Sequence, residues 1–385
     1  MNYKFIVLAD IHWGAMDSSL TYNNLELVLE FIKQMKNELD FVIIAGDYFD
    51  YRIQLNSKTA LLAVKWFDRL INTCKESNVK KVRMFKGTRE HDNDQLEVFR
   101  APYETEDGFF KLFNTTESEE LLPDLRCVYC PDENMNLNEY HNLYYKKFIP
   151  NPNIGFFHGN FDAILPSIEF NRIQEHNLPT MIYEYSKFAR LIKGPLISGH
   201  WHIKNNHKDL YYVGSYDRWK FNEEDDKGFI YGEINTESSE YFLHFVRNPL
   251  ARDYTTIMVT SSEVNTPEDF AKVSDSINSI LKESPETMIR VVYIIEDESV
   301  DQMSYSILQR KYATNKHVKF TVKDLIKRSE RKMEKKKVKI EASKYNYIFN
   351  SDIKSVPNII HQFILDNKNV EVPVDIIQKY VNKYI

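Results

Sequence analysis

With 385 residues, 43% of them hydrophobic, the chain is long enough for two to three domains of roughly 150 residues and for a sizeable apolar core. Its net charge of −6 excludes a protein that coats nucleic acid by overall charge, and its three irregularly spaced cysteines exclude a disulfide framework. No run reaches ~18 apolar residues and no basic stretch with a cleavage site opens the chain, so a cytoplasmic protein without a membrane span is expected.

In chain order, KFIVLA at 4–9 and FVIIA at 41–45 are short apolar runs that each lead into an acidic residue, as buried parallel strands do. Between them Leu25, Val28, Leu29, Ile32 and Met35 recur at helical spacing, which predicts a helix over 20–39. A second helix is predicted over 57–77, before the strand VRMFK at 82–86, and this β-α-β-α-β opening points to a layered α/β fold. Further strands are expected near 125–130, 153–158, 195–198, 210–214, 228–234 and 240–246. Cys127 and Cys130 lack the second pair that a zinc site needs and read as buried, reduced thiols. NPLARD at 248–253 reads as a linker, after which strands and helices alternate as in a small second α/β domain. Lys323–Lys344 then holds ten Lys or Arg against four Asp or Glu, so the acidic average hides a basic segment suited to local phosphate contacts.

Four predicted strands end in potential metal ligands: Asp10-Ile11-His12, Gly46-Asp47-Tyr48-Phe49-Asp50, Phe157-His158-Gly159 and Ser198-Gly199-His200-Trp201-His202. A fifth ends in Gly87-Thr88-Arg89-Glu90-His91-Asp92. Ligands in open α/β sheets bind beyond the carboxyl ends of strands, so these loops can converge although they are far apart in sequence. Mixed carboxylate and imidazole ligands suit Mn²⁺, Fe²⁺ or Zn²⁺ better than Ca²⁺ or Mg²⁺. Two such ions about 3.5–4 Å apart can activate water and stabilise the leaving oxygen of a phosphodiester. The chain has no G-x-x-x-x-G-K-[ST], so no ATP site is expected.

The ordered set D-x-H, G-D-x-x-D, G-N-H-[DE], H and G-H-x-H resembles the signature of the calcineurin-like metallophosphoesterases. Within them the chain looks like the SbcD-type nucleases of bacteria and phages. Gly214-Ser215-Tyr216-Asp217-Arg218, followed by Glu223-Glu224 and Lys227-Gly228-Phe229, resembles the G-S-x-x-R…E-E-…-K-G-[FY] stretch of that subfamily. The fold implied is a layered β-sandwich flanked by helices, with a small α/β cap domain and a C-terminal helical tail. Implied borders are 1–250 for the nuclease domain, 254–322 for a DNA-binding cap, 323–346 for a basic linker and 347–385 for a partner-binding region.

Carried over residue by residue, the resemblance implies that Asp10, His12, Asp47 and His202 hold a first ion, with Asp47 bridging, and that His158 and His200 join Asp47 at a second. His91 corresponds to the catalytic histidine beside the metals, and Asp92 would orient its ring. The third motif departs from the family: Glu90 stands where an Asn ligand is found. Glu90 either ligates the second ion or belongs to a rebuilt loop that leaves this ion weakly held or absent. Arg52, Arg89 and Arg218 are candidates for DNA phosphates, against a role in balancing nearby acids.

The resemblance implies a nuclease using two divalent ions, Mn²⁺ first and Mg²⁺ as the alternative. Its implied partners are DNA, a second copy of the chain and an SbcC-type ATPase bound through the C-terminal helices. Two other readings stay open: a metallophosphatase or cyclic-nucleotide phosphodiesterase on the same metal site, and a DNA-binding scaffold whose site has decayed at Glu90.

Overall fold

The computed structural model describes residues 1–133, 135, 140, 143, 148–164, 182–221, 223, 225–264, 266–296, 302–325 and 373. The C-terminal helical tail expected over 347–385 lies, apart from residue 373, outside the described residues. The chain parts into two compact units, one of Met1–Thr256 with Ile280–Arg290, the other of Ile257–Ser279 with the described residues from Val291 on.

The first unit is built on two six-stranded sheets. In one, β1 (Asn2–Leu8), β2 (Phe41–Ala45), β3 (Lys81–Phe85) and β4 (Phe110–Phe113) run parallel. The antiparallel strands β13 (Gly228–Asn235) and β14 (Tyr241–Arg247) complete it beside β1. The other has the order β11 (Asn205–His207), β12 (Leu210–Tyr212), β10 (Leu196–Gly199), β7 (Ile154–His158), β6 (Leu125–Cys130), β5 (Glu117–Leu122). Strands β12, β10, β7 and β6 are mutually parallel. A two-stranded pair, β8 (Asn160–Phe161) and β9 (Ile182–Tyr183), stands beside them.

Strand alternation assigns every apolar side chain to one of two faces. Phe5, Val7, Phe41 and Ile43 point to the inter-sheet core, where they meet Cys127, Tyr129, Ile154 and Phe156 of the second sheet. Ile6, Leu8, Val42 and Ile44 point the other way, under α1 (Ser18–Asn24), α2 (Glu26–Gln34), α3 (Lys58–Glu76) and α4 (Glu97–Tyr103). The outer face of the second sheet packs Val128, Cys130 and Phe157 against α5 (Tyr185–Leu191). The central strands are therefore covered on both faces, which explains why they read as continuous apolar runs. Cys127 and Cys130 sit on opposite faces of β6, and all three cysteines are buried free thiols whose ionisation burial opposes.

The helix expected over 20–39 is two helices that break at Leu25. The phenol of Tyr216 donates to the Asn24 carbonyl at 2.7 Å, and the indole of Trp66 donates to the Leu25 carbonyl at 3.3 Å. Those carbonyls are held by side chains distant in sequence, a signal absent from local periodicity. The second helix follows its prediction closely, with the Ser57 hydroxyl capping α3 through the Ala60 N–H.

The second unit draws on β15 (Tyr254–Thr260), α6 (Pro267–Glu283), β16 (Met288–Ile295), α7 (Gln302–Lys311) and β17 (Val318–Asp324), the strands forming a three-stranded sheet in the order β15-β16-β17. Its core stacks Tyr293 on Tyr305, with Phe270 against both. Among the described residues no helix is long and apolar enough to cross a membrane.

Candidate metal centre

Five strands of the two sheets end at one place. Asp10 and His12 follow β1, Asp47 follows β2, His91 lies in the loop after β3, His158 closes β7, and His200 and His202 follow β10. The loops are tied edge to edge: Asp10 N–H donates to the Gly46 carbonyl at 3.2 Å, and His12 N–H donates to the Asp47 carbonyl at 3.0 Å. Asp10, His12, Asp47 and His200 all take left-handed backbone angles, with φ of 52°, 52°, 48° and 91°. Such angles cost non-glycine residues energy and persist where surrounding structure enforces them, often at functional sites. Gly46, at φ +78°, is needed for a second reason, because a Cβ there would lie 2.3 Å from His158 Nδ1.

The side chains form three groups whose ligand atoms are close enough to share an ion: Asp10 with His12 and His202, His12 with Asp47 and His91, and Asp47 with His158 and His200. His12 Nε2 faces His202 Nε2 at 2.9 Å. Asp47 Oδ2 lies 3.9 Å from His12 Nε2 and 3.2 Å from His158 Nε2. His158 donates from Nδ1 to the Ala45 carbonyl at 2.8 Å, which fixes its tautomer and leaves Nε2 directed inward. His200 Nδ1 is buried without a hydrogen-bond partner among the described residues, and His158 Nε2 faces the Asp47 carboxylate. An unpaired imidazole nitrogen beside a carboxylate shared by several histidines is costly alone and fits a divalent transition metal well.

The electrostatics follow from burial and proximity. Burial alone would raise the Asp47 carboxyl, but His158, His12 and His91 overcome it and hold Asp47 well below the usual carboxylate range. Burial likewise opposes a charge on His158, yet Asp47 and Asp10 hold its imidazolium up to about 10. His200 is kept neutral, driven down to about 3 first by burial and then by positive His158. Asp10 is raised by burial, against the pull of His158 and His202. Both of its oxygens accept from the His200 N–H, at 3.0 and 3.1 Å.

Glu90, one of the two readings for the departed motif, is exposed and belongs to none of these groups. The N–H groups of His91 and Asp92 both donate to the Thr88 carbonyl, and this turn carries Arg89 and Glu90 outward. Thr88 meets the shared carboxylate instead, donating to Asp47 Oδ1 from its N–H at 2.7 Å and its hydroxyl at 2.8 Å. Asp92 does not orient His91. Its fully buried carboxylate accepts from the N–H groups of Phe49 at 3.0 Å and Gly87 at 2.8 Å, tying two loops together. Burial, reinforced by Asp47, pushes Asp92 up to about 7. His91 Nδ1 instead donates to the Asp50 carbonyl.

Arg218 is committed elsewhere. It donates to the Arg252 carbonyl at 3.2 Å and to the Asp225 carbonyl at 3.1 Å and pairs with Asp253 at 3.0 Å, clasping the segment read as a linker, so it is not free for DNA. Arg52 and Arg89 are exposed, and Arg52 lines an open cleft of about 1010 Å³ with Gln54, Asn56, Asn93 and Gln95. Two carboxylates at the site carried no assigned role in the sequence. Asp50 Oδ1 faces His12 Nδ1 at 3.1 Å, and Glu223 Oε1 accepts from His202 Nδ1 at 2.9 Å. Both lay inside motif stretches, Gly46–Asp50 and Glu223–Phe229, and that position was the only available signal.

A two-sheet sandwich that gathers carboxylates and imidazoles at its strand ends defines the class of metal-dependent phosphoester hydrolases. The chain belongs to the calcineurin-like phosphoesterase family, whose sequence profile matches residues 3–233. Members bind divalent metals, and the ligand groups above are the candidates to do so here. No curated protein matches the chain in sequence. Among solved structures it is similar to a glutamine-dependent NAD+ synthetase from Acinetobacter baumannii in complex with ADP. That likeness has 11% identity and a TM-score of 0.32 over 93% of this chain and 70% of the other, too slight to carry an argument.

Proposed function

We propose that this protein is a two-metal DNA nuclease, the nuclease subunit of an SbcCD-type complex that processes DNA ends. The observation that carries the reading is the Asp47 carboxylate, which belongs at once to the group with His12 and His91 and to the group with His158 and His200. In this reading Asp10, His12, Asp47 and His202 hold one ion, and Asp47, His158 and His200 hold the other, with Mn²⁺ suited to the mixed donors. Bound there, a pair of divalent ions supplies Lewis acidity to water and neutralises charge on the phosphate.

The chain's own groups do the rest. Because a carbonyl only accepts, His91 keeps its Nδ1 proton on the Asp50 carbonyl, and Nε2 is the atom that meets the phosphate; as an imidazolium it passes the Nε2 proton to the leaving oxygen and is left as the neutral Nδ1–H ring. Thr88 holds Asp47 Oδ1, so that Oδ2 is the oxygen turned to the histidines. In this reading Arg52, which lines the open cleft, and exposed Arg89 contact DNA phosphates. Support for a nuclease over a phosphatase comes from the subfamily stretch Gly214–Phe229, which reaches the site through Glu223. On this reading residues 254–322 form the DNA cap, 323–346 tether the tail, and 347–385 dock on an SbcC-type ATPase, with the chain acting as a homodimer.

The test is hydrolysis by the Mn²⁺-loaded protein of linear and single-stranded DNA beside nucleoside monophosphate esters. DNA cleavage is expected. Turnover of the monoesters with none of DNA under any divalent metal would replace the nuclease reading with a phosphatase. Truncation after Asn346 should leave nuclease activity and remove ATPase binding.

A further inference from the structure

Behind His202 the chain returns through residues 215–228, and this return carries a buried charge cluster outside all three ligand groups. Glu223 accepts from His202 Nδ1 at 2.9 Å through Oε1. Its Oε2 accepts the Trp219 N–H at 3.0 Å and lies 3.5 Å from the Lys227 ammonium. Lys227 is 1% exposed; it donates to the His202 carbonyl at 2.7 Å and pairs with Asp225 at 3.0 Å. The ring and the carbonyl of one residue are thus each held by one member of a buried ion pair. The Trp219 indole adds a bond to the Asp10 carbonyl at 3.3 Å, so the same return also braces the neighbouring ligand loop.

Sinking a lysine and a glutamate is expensive unless both are paired and hydrogen-bonded, and apolar residues would fill such space at less cost. What the pair achieves is directional. With its Nδ1 proton committed to Glu223, His202 must present a lone pair at Nε2, which faces His12 Nε2 at 2.9 Å. His12 in turn has its Nδ1 3.1 Å from Asp50 Oδ1. His12 Nδ1 makes no hydrogen bond among the described residues, so the fixed lone pair at His202 Nε2 either accepts a proton from His12 Nε2 or shares a cation with it.

We infer that Glu223 and Lys227 are positioning residues for His202, Glu223 fixing the tautomer and ring direction through one hydrogen bond and Lys227 holding Glu223 and the His202 carbonyl in place. This rests on reading the ligand groups as a metal centre.

The discriminating variants are Glu223→Gln and Glu223→Asp. Gln keeps an acceptor oxygen at the same reach without the charge; Asp keeps the charge and withdraws the acceptor by one methylene. The readout is Mn²⁺ titration of the chelator-stripped, full-length protein, followed by EPR, with thermal melting of the metal-free form as the control for folding. A hydrogen-bond role predicts that E223D loses about 10–100-fold in affinity at one of two sites while E223Q loses only a few-fold, with melting unchanged for both. The reverse order, or wild-type affinity at both sites in E223D, would overturn the positioning role and leave the metal centre standing. A wild-type chain that binds no Mn²⁺ would overturn the metal centre and the positioning role together.

Discussion

The two halves of the site are built by different means. In the His12 and His202 half, each ring nitrogen that faces away from the site meets a side-chain carboxylate, Asp50 or Glu223. In the His158 and His200 half, the tautomer of His158 is set by the Ala45 carbonyl, and close approach is permitted by Gly46. The first half is therefore tuned by loop residues that a substitution can change one at a time. The second is part of the sheet framework, and altering it disturbs strand contacts. Asp47 belongs to both and makes them one site.

The largest effect is expected from Asp47→Ala, which removes the group common to both halves. Both ions should be lost and activity should fall by on the order of 10³-fold or more, as Mn²⁺ titration beside a DNA-cleavage assay would show. Retention of one tight ion would mean that the halves are independent. His91→Ala should cost about 10²–10⁴-fold in turnover while two ions remain, because its Nδ1 is spent on the Asp50 carbonyl and the role proposed for it is proton transfer. Loss of an ion in that variant would make His91 a ligand.

A smaller, sharper contrast is in proton release. Metal ligands must be deprotonated, and the proton on His158 is held up to about 10, so an ion entering the second half must displace it. Below that pH the affinity of this half should rise by up to about tenfold per pH unit, whereas neutral His200, driven to about 3, adds no dependence near neutrality. Calorimetry in buffers of different ionisation enthalpy measures the released proton directly; no release on filling the second site at pH 7 would contradict the assignment. The smallest effect expected is on stability. Gly46→Ala adds a Cβ 2.3 Å from His158 Nδ1 at a φ of +78° and should cost about 1–3 kcal/mol, seen as a lowered melting temperature and weaker binding in the second half alone.

The strand ends were legible because each residue that converges follows a short apolar run that could only be a buried strand, and parallel strands deliver their ends to one edge. The third motif was not legible in detail. Counting back from His91 reaches Glu90, but the turn closed on the Thr88 carbonyl presents Thr88 to Asp47 and turns Glu90 to solvent. Asp92 adjoins His91 in sequence, yet its carboxylate serves the backbone of Phe49 and Gly87. Glu223 lies 21 positions after His202, a separation no spacing rule connects. The break at Leu25 depends on Tyr216 and Trp66, and the edge strands β5 and β11 carry too few apolar residues to stand out.

Loading the metal-free protein with Mn²⁺, counting bound metal and recording the EPR spectrum shows whether two ions share one carboxylate. Two ions per chain with the spectrum of an exchange-coupled pair are expected, and loss of both the count and the coupling in Asp47→Ala. A single uncoupled ion per chain in the wild type, or a coupled pair that survives the loss of Asp47, would contradict it.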